Sequence, residues 1–134
     1  MSQTLYRCWI HLVWATYLRQ PLLIKKIRND VFNKIKEISE ENGYILDTIN
    51  GVEDHVHCLF ILKPKHAISQ MVNQIKGASS HWINTTKLTD DNFKWQSGYG
   101  VFTVSENDVP RVRAYIQNQE VHHQENNCKD DFEL

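Results

Sequence analysis

Cysteine patterns that staple or metallate small proteins are missing from this chain. Its three cysteines, Cys8, Cys58 and Cys128, are odd in number and far apart, with no Cys-x-x-Cys. That excludes a disulfide framework and a zinc ribbon and fits a reduced, cytoplasmic protein. No apolar run reaches the 18 residues needed to span a bilayer, and the N-terminus lacks a signal-peptide layout, so a soluble intracellular chain is expected. Positive charge is not in excess either. Fifteen Lys and Arg face sixteen Asp and Glu, for a net charge of −1. A protein that coats long duplex DNA by bulk charge is excluded, whereas a local basic patch is not. Internal repeats, low-complexity tracts and a second domain are also absent. What is present is an ordinary composition, 41% hydrophobic and 23% charged over 134 residues, enough for one domain with a proper core.

The most informative stretch is 51–62, Gly-Val-Glu-Asp-His-Val-His-Cys-Leu-Phe-Ile-Leu. Side chains alternate between the faces of a strand, so His55 and His57 project from one face and Val56, Cys58 and Phe60 from the other. Apolar residues on both faces predict an inner strand covered on each side. Two imidazoles fixed on such a strand are half of a metal site that needs oxygen ligands from elsewhere. Short His-x-His matches are common, and on spacing alone two ordinary histidines at a strand mouth are the commoner case. Asp54 points to the opposite face and reads as a turn residue or as support for the pair.

Residues 6–16 form a long aromatic and β-branched strand, with Tyr6, Cys8, Ile10, Leu12 and Trp14 as its buried face. His11, on the mixed face, reads as part of a binding surface or as a hydrogen-bonded structural histidine. Ile24, Ile27, Val31, Ile35 and Ile38 recur at helical spacing, and Asn42-Gly43 stops that helix. A second strand over 44–50 leads by a short connection into the histidine strand, which predicts an antiparallel hairpin. A helix over 67–84 carries Lys76-Gly77 in its interior, where glycine costs about 1 kcal/mol relative to alanine. Gly77 marks either internal packing or close approach of a strand or nucleic-acid backbone. The aromatics of 93–100 either stack on unpaired bases or anchor their loop to the core. After a short strand over 101–104, Ser105 or Asn107 is the expected N-cap of a last helix with Pro110 in its first turn. Tyr115 and Gln119, one turn apart, fall at the edge of its apolar stripe and face inward. His123, a further turn on, is either a competing ligand or base, or part of a surface pair with His122.

The order of elements predicts an α+β fold: a ferredoxin-like βαββαβ antiparallel sheet with two helices on one face, and an added C-terminal helix carrying the tyrosine. The expected single domain has a core over about 5–104, a tyrosine helix over about 107–124 and a frayed acidic tail over 125–134.

These residues together resemble the single-tyrosine HUH transposases, the enzymes of small insertion sequences and their REP-associated relatives. The likeness rests on His-Leu-Val-Trp-Ala-Thr within 6–16, on 54–59, on Ile-Lys-Gly-Ala-Ser-Ser at 75–80, on 95–99 and on 115–119. It spans nearly the whole chain, and five short motifs in order are far more specific than any one.

The resemblance implies that His55, His57 and Gln119 bind a divalent metal, Mg²⁺ or Mn²⁺, and that Tyr115 is the nucleophile. It implies cleavage of single-stranded DNA beside a hairpin, through a 5′-phosphotyrosine that a 3′-OH later resolves. It also implies a homodimer in which the tyrosine helix of one subunit often completes the site of the other. The chemistry is coherent: a divalent cation polarises the phosphate, and a phenol, which titrates near 10, requires activation. Arg19, Lys76, Arg111 and Arg113 are the candidate DNA contacts. Two other readings remain at this point. A single-stranded nucleic-acid-binding module would need neither Tyr115 nor metal. A metal-dependent phosphoesterase would use water and tolerate Tyr115→Phe.

Overall fold

A computed structural model of the chain describes residues 3–119. The expectations for the end of the tyrosine helix, for His122 and His123, and for the acidic tail therefore lie outside the described residues. Four strands, β1 (Trp9–Ala15), β2 (Ile45–Gly51), β3 (His55–Ile61) and β4 (Gly100–Val104), alternate with helices α1 (Lys25–Glu41) and α2 (Ile68–Thr85). Helix α3 (Val109–Gln117) follows the last strand. The sheet order is β2-β3-β1-β4, with every pairing antiparallel. This is the expected βαββαβ arrangement, with the histidine strand inside the sheet.

Side-chain parity decides what each face of the sheet holds. Ile10, Leu12 and Trp14 of β1 and Val56, Cys58 and Phe60 of β3 pack with Val31, Phe32 and Ile35 of α1 and Met71, Val72 and Ile75 of α2. Each such fully buried side chain contributes about 1.5–3 kcal/mol. Burial pushes the Cys58 thiol up from its ordinary pKa, so it behaves as a small apolar residue there. The opposite face belongs to α3: Val109, Val112, Tyr115 and Ile116 pack with Leu59 and Val104. The sheet is thus covered on both sides, and the two histidines lie on the α3 side.

Some local expectations shift. The first strand begins at Trp9, where pairing with Ile61 and Val104 begins, and Cys8 is exposed rather than buried. Neither Ser105 nor Asn107 caps α3. A turn of 3-10 helix over Glu106–Asp108 intervenes, and the Ser105 hydroxyl donates to the Asp108 carboxylate instead. Helix α1 ends as expected, with Gly43 in the left-handed region at φ +74°. Among the described residues no helix is long and apolar enough to cross a membrane.

Candidate active site

The hairpin between β2 and β3 delivers the histidines. Asn50 pairs with His57 and Gly51 with Val56, and the chain turns so tightly that a Cβ on Gly51 would sit 2.3 Å from the His55 carbonyl oxygen. Both imidazoles are buried, His55 at 1% and His57 at 0% exposure, with ring centroids 5.0 Å apart. Each ring is held by its Nδ1. His55 Nδ1 lies 2.7 Å from Asp54 Oδ1, and His57 Nδ1 lies 2.9 Å from His11 Nε2. Burial pushes the Asp54 carboxyl up, but the hydrogen bond and charge of His55 and the charge of Arg19 outweigh it, leaving the pKa below the ordinary value. With both Nδ1 atoms engaged, Nε2 is the nitrogen through which either ring would take a metal.

Helix α3 brings the tyrosine to the histidines. The Tyr115 ring is edge-on to His57 at 5.6 Å and to His11 at 6.2 Å between centroids. Gln119 is fully buried beyond the end of α3, after Asn118 leaves helical geometry at φ −103° and ψ 24°. Its amide nitrogen donates to the Tyr115 carbonyl at 3.3 Å, and its Oε1 accepts no hydrogen bond among the described residues. A buried acceptor left in that state costs about 1–3 kcal/mol, so the orphaned oxygen is suited to a ligand role. Among the described residues no three His, Cys, Asp or Glu side chains gather as a metal cluster. The candidate donors for a cation are the two imidazoles and the Gln119 amide oxygen. Such a set leaves positions open for water and phosphate oxygens on Mg²⁺ or Mn²⁺.

Comparison with known proteins places the described chain in one family. The family described as Transposase IS200 like matches residues 4–119. This chain belongs to that family. The ISDra2 transposase TnpA of Deinococcus radiodurans is 30% identical over 120 residues, covering 85% of this chain and 85% of its own length. The transposase for insertion sequence element IS200 of Salmonella typhimurium is 26% identical over 125 residues, covering 89% and 81%. A solved structure assigned as a transposase, from Deinococcus radiodurans R1, superposes with a TM-score of 0.71 at 28% identity, covering 89% of this chain and 98% of that one. A REP-associated tyrosine transposase solved with a REP hairpin shares the fold, with a TM-score of 0.68 at 16% identity, covering 92% and 74%.

Within this transposase-family fold the four basic candidates have uneven surroundings. The Arg19 guanidinium lies 3.4 Å from Asp54 Oδ2 and 3.3 Å from His55 Nδ1, at the rim of the histidine pair. It is carried there by a turn in which Leu18 and Arg19 both have positive φ, at 54° and 53°. The Gln96 side chain accepts from Leu18 N, and the Thr16 hydroxyl donates to the Gln20 carbonyl, which together fasten the turn. Lys76 donates to the carbonyls of Gln96 and Gly98, and burial pushes its ammonium pKa down. Arg113 pairs bidentately with Asp47 on β2, and Arg111 lies 3.9 Å from Asp108. Phe93 and Trp95 are buried in the core against α2 and β1, so these two aromatics anchor their loop rather than face a base, whereas Tyr99 is exposed. A Cβ on Gly77 would meet nothing within 4 Å, so internal packing does not demand that glycine.

Sequence reasoning left His11 undecided between surface and core. Its bond to His57 depends on the register of β1 against β3, which sets Val13 opposite His57 and His11 opposite Leu59. Parity alone could have placed His11 on the histidine face; only the register brings the two rings together.

Proposed function

We propose that this chain is a metal-dependent DNA strand transferase that cuts single-stranded DNA beside a hairpin and conserves the broken bond as a 5′-phosphotyrosine on Tyr115. The observation that carries this reading is the Tyr115 ring held edge-on to His57 at 5.6 Å between centroids, with the buried Gln119 amide bonded to the Tyr115 carbonyl, in a chain of the IS200-like family. The Tyr115 phenol oxygen attacks phosphorus and gives up its proton to water. The P–O3′ bond breaks, and the leaving strand keeps a protonated 3′-OH. A second 3′-OH then attacks the phosphotyrosine, expelling the phenol and rejoining DNA without an external energy source. His55, His57 and Gln119 would hold Mg²⁺ or Mn²⁺, which when bound supplies charge neutralisation at the non-bridging phosphate oxygens. Packing of Tyr115 with Leu59 and Val104 limits how far its ring can move. Arg19 is the basic residue set to meet a phosphate beside this site. A single-stranded DNA hairpin and a second copy of the chain are the partners of this reading, and its place of work is the cytoplasm.

The test uses 5′- and 3′-labelled single-stranded hairpin oligonucleotides with Mn²⁺ or Mg²⁺ and a denaturing protein gel. A metal-dependent covalent adduct is expected, lost in Tyr115→Phe and in His57→Ala. Cleavage without adduct that survives Tyr115→Phe would replace this reading with a phosphoesterase using water. Binding without cleavage, across hairpins from the host genome, would leave a binding module.

A further inference from the structure

The imidazole cluster contains a third member that the proposed chemistry does not use. His11 on β1 is fully buried. Its Nε2 lies 2.9 Å from His57 Nδ1, the rings are tilted by 33° with centroids 5.1 Å apart, and Phe102 packs against it at 5.9 Å. A hydrogen bond between two neutral imidazoles can hold its proton in two ways. When His11 Nε2–H donates, His57 Nδ1 accepts, the His57 proton sits on Nε2, and that nitrogen has no lone pair for a cation. When His57 Nδ1–H donates to His11 Nε2, the His57 Nε2 lone pair is kept. Only the second arrangement is competent for metal. The neighbouring ring meets the same requirement through a different acceptor, because an ionised Asp54 carboxylate can only receive the Nδ1–H of His55.

We propose that His11 is a positioning residue for the metal. As acceptor of the His57 Nδ1–H, it fixes His57 in the tautomer whose Nε2 binds a divalent cation, and it holds the ring plane between β1 and Tyr115. The proposal rests on the functional reading above, since it assumes that His57 is a ligand. It differs from a purely structural role in one respect: what the site requires at position 11 is an acceptor, not an imidazole.

The deciding experiment titrates Mn²⁺ calorimetrically into the full chain and into His11→Leu and His11→Gln, with thermal unfolding of each apo protein alongside. Leucine fills a similar volume without an acceptor, whereas the glutamine carbonyl reaches about as far as Nε2. His11→Leu is expected to bind Mn²⁺ about 10- to 100-fold more weakly than wild type, the range seen when such supporting partners of metal ligands are removed. His11→Gln is expected to recover most of that loss. A structural role would lower the apo unfolding temperature of both variants and leave the Mn²⁺ affinity of the folded protein unchanged. Wild-type affinity in His11→Leu, or equal weakness in the two variants, would overturn the proposal. Should His11→Leu fail to fold, ¹⁵N NMR of the wild-type histidines saturated with Mg²⁺ decides: a proton on His57 Nδ1 supports the proposal, and one on Nε2 overturns it. Failure of the functional reading shows differently, as a wild type that binds no Mn²⁺, and that result removes both.

Discussion

One added methyl group at position 51 is a severe test of how tightly the histidine hairpin is built. The atoms a Cβ would meet are backbone, the His55 carbonyl oxygen at 2.3 Å and the Val56 Cα at 3.1 Å, and neither can swing aside as a side chain would. That same carbonyl accepts the Val52 N–H that closes the turn, at 3.1 Å. Gly51→Ala is therefore expected to cost about 1–3 kcal/mol as overpacking, and to weaken Mn²⁺ binding by moving His55. Denaturant unfolding and calorimetry check this, and a variant matching wild type in both would show that the hairpin relaxes without disturbing the site. A second residue-scale test lies on the other face of the sheet. The Trp95 indole N–H donates to Ser79 Oγ at 3.0 Å inside the core, and the Ser79 hydroxyl donates in turn to the Ile75 carbonyl. Ser79→Ala strands the indole N–H and is expected to destabilise by about 1–3 kcal/mol. An unfolding midpoint within error of wild type would mean that the indole finds another acceptor.

At the scale of elements, the position of Tyr115 is set by how α3 is fastened to the sheet. Its apolar stripe packs on Leu59 and Val104, and two polar clamps join it to β2: the Arg113–Asp47 pair and the Asn50 side chain, which donates to the Gln117 carbonyl at 3.0 Å. The Arg113 hydrogen bond holds the Asp47 carboxyl below its ordinary pKa. A carboxylate with a depressed folded pKa contributes stability above its unfolded pKa, near 4, and loses it as pH falls through the folded value. Solvent screens this partly exposed pair, so Asp47→Asn is expected to be less stable than wild type by only about 1 kcal/mol at pH 7. The difference should shrink as pH is lowered below about 4, where the wild-type carboxylate also becomes neutral. Urea melts of both proteins across pH 2–7 would show it, and a gap that stays constant with pH would mean that the ion pair contributes nothing. This clamp was invisible in the sequence, although much else was readable. The parity of His55 and His57 and the stripe of Val109, Val112 and Ile116 follow from local periodicity. Asp47 meets Arg113 where the β2–β3 register shifts between Leu46 and Thr48. A register shift of this kind depends on the partner strand, which no run of neighbouring residues encodes. The His11–His57 bond was hidden for the same reason.

For the whole molecule, the near balance of charge becomes a statement about how DNA would be held. A net charge of −1 provides little long-range attraction, and the local candidates are largely committed to the protein itself. Arg113 is paired with Asp47, Lys76 is bonded to two backbone carbonyls, and Arg111 and Arg19 sit beside Asp108 and Asp54. A protein that neutralises Z phosphates of a single strand loses affinity with a slope of about −0.7Z in log K against log salt. With about two to four phosphates neutralised, the expected slope is no steeper than about −3. Most of the affinity would then come from contacts that salt does not screen, such as the hairpin's shape and the ligation of one phosphate at the histidine site. Fluorescence anisotropy of a labelled hairpin over a range of KCl, in the presence of Ca²⁺ to permit binding without turnover, measures this slope. A value steeper than about −5 would show that the intramolecular ion pairs open on binding and hand their arginines to DNA. In that case Asp47→Asn, by releasing Arg113, should tighten binding at low salt, whereas with a shallow slope it should leave affinity nearly unchanged.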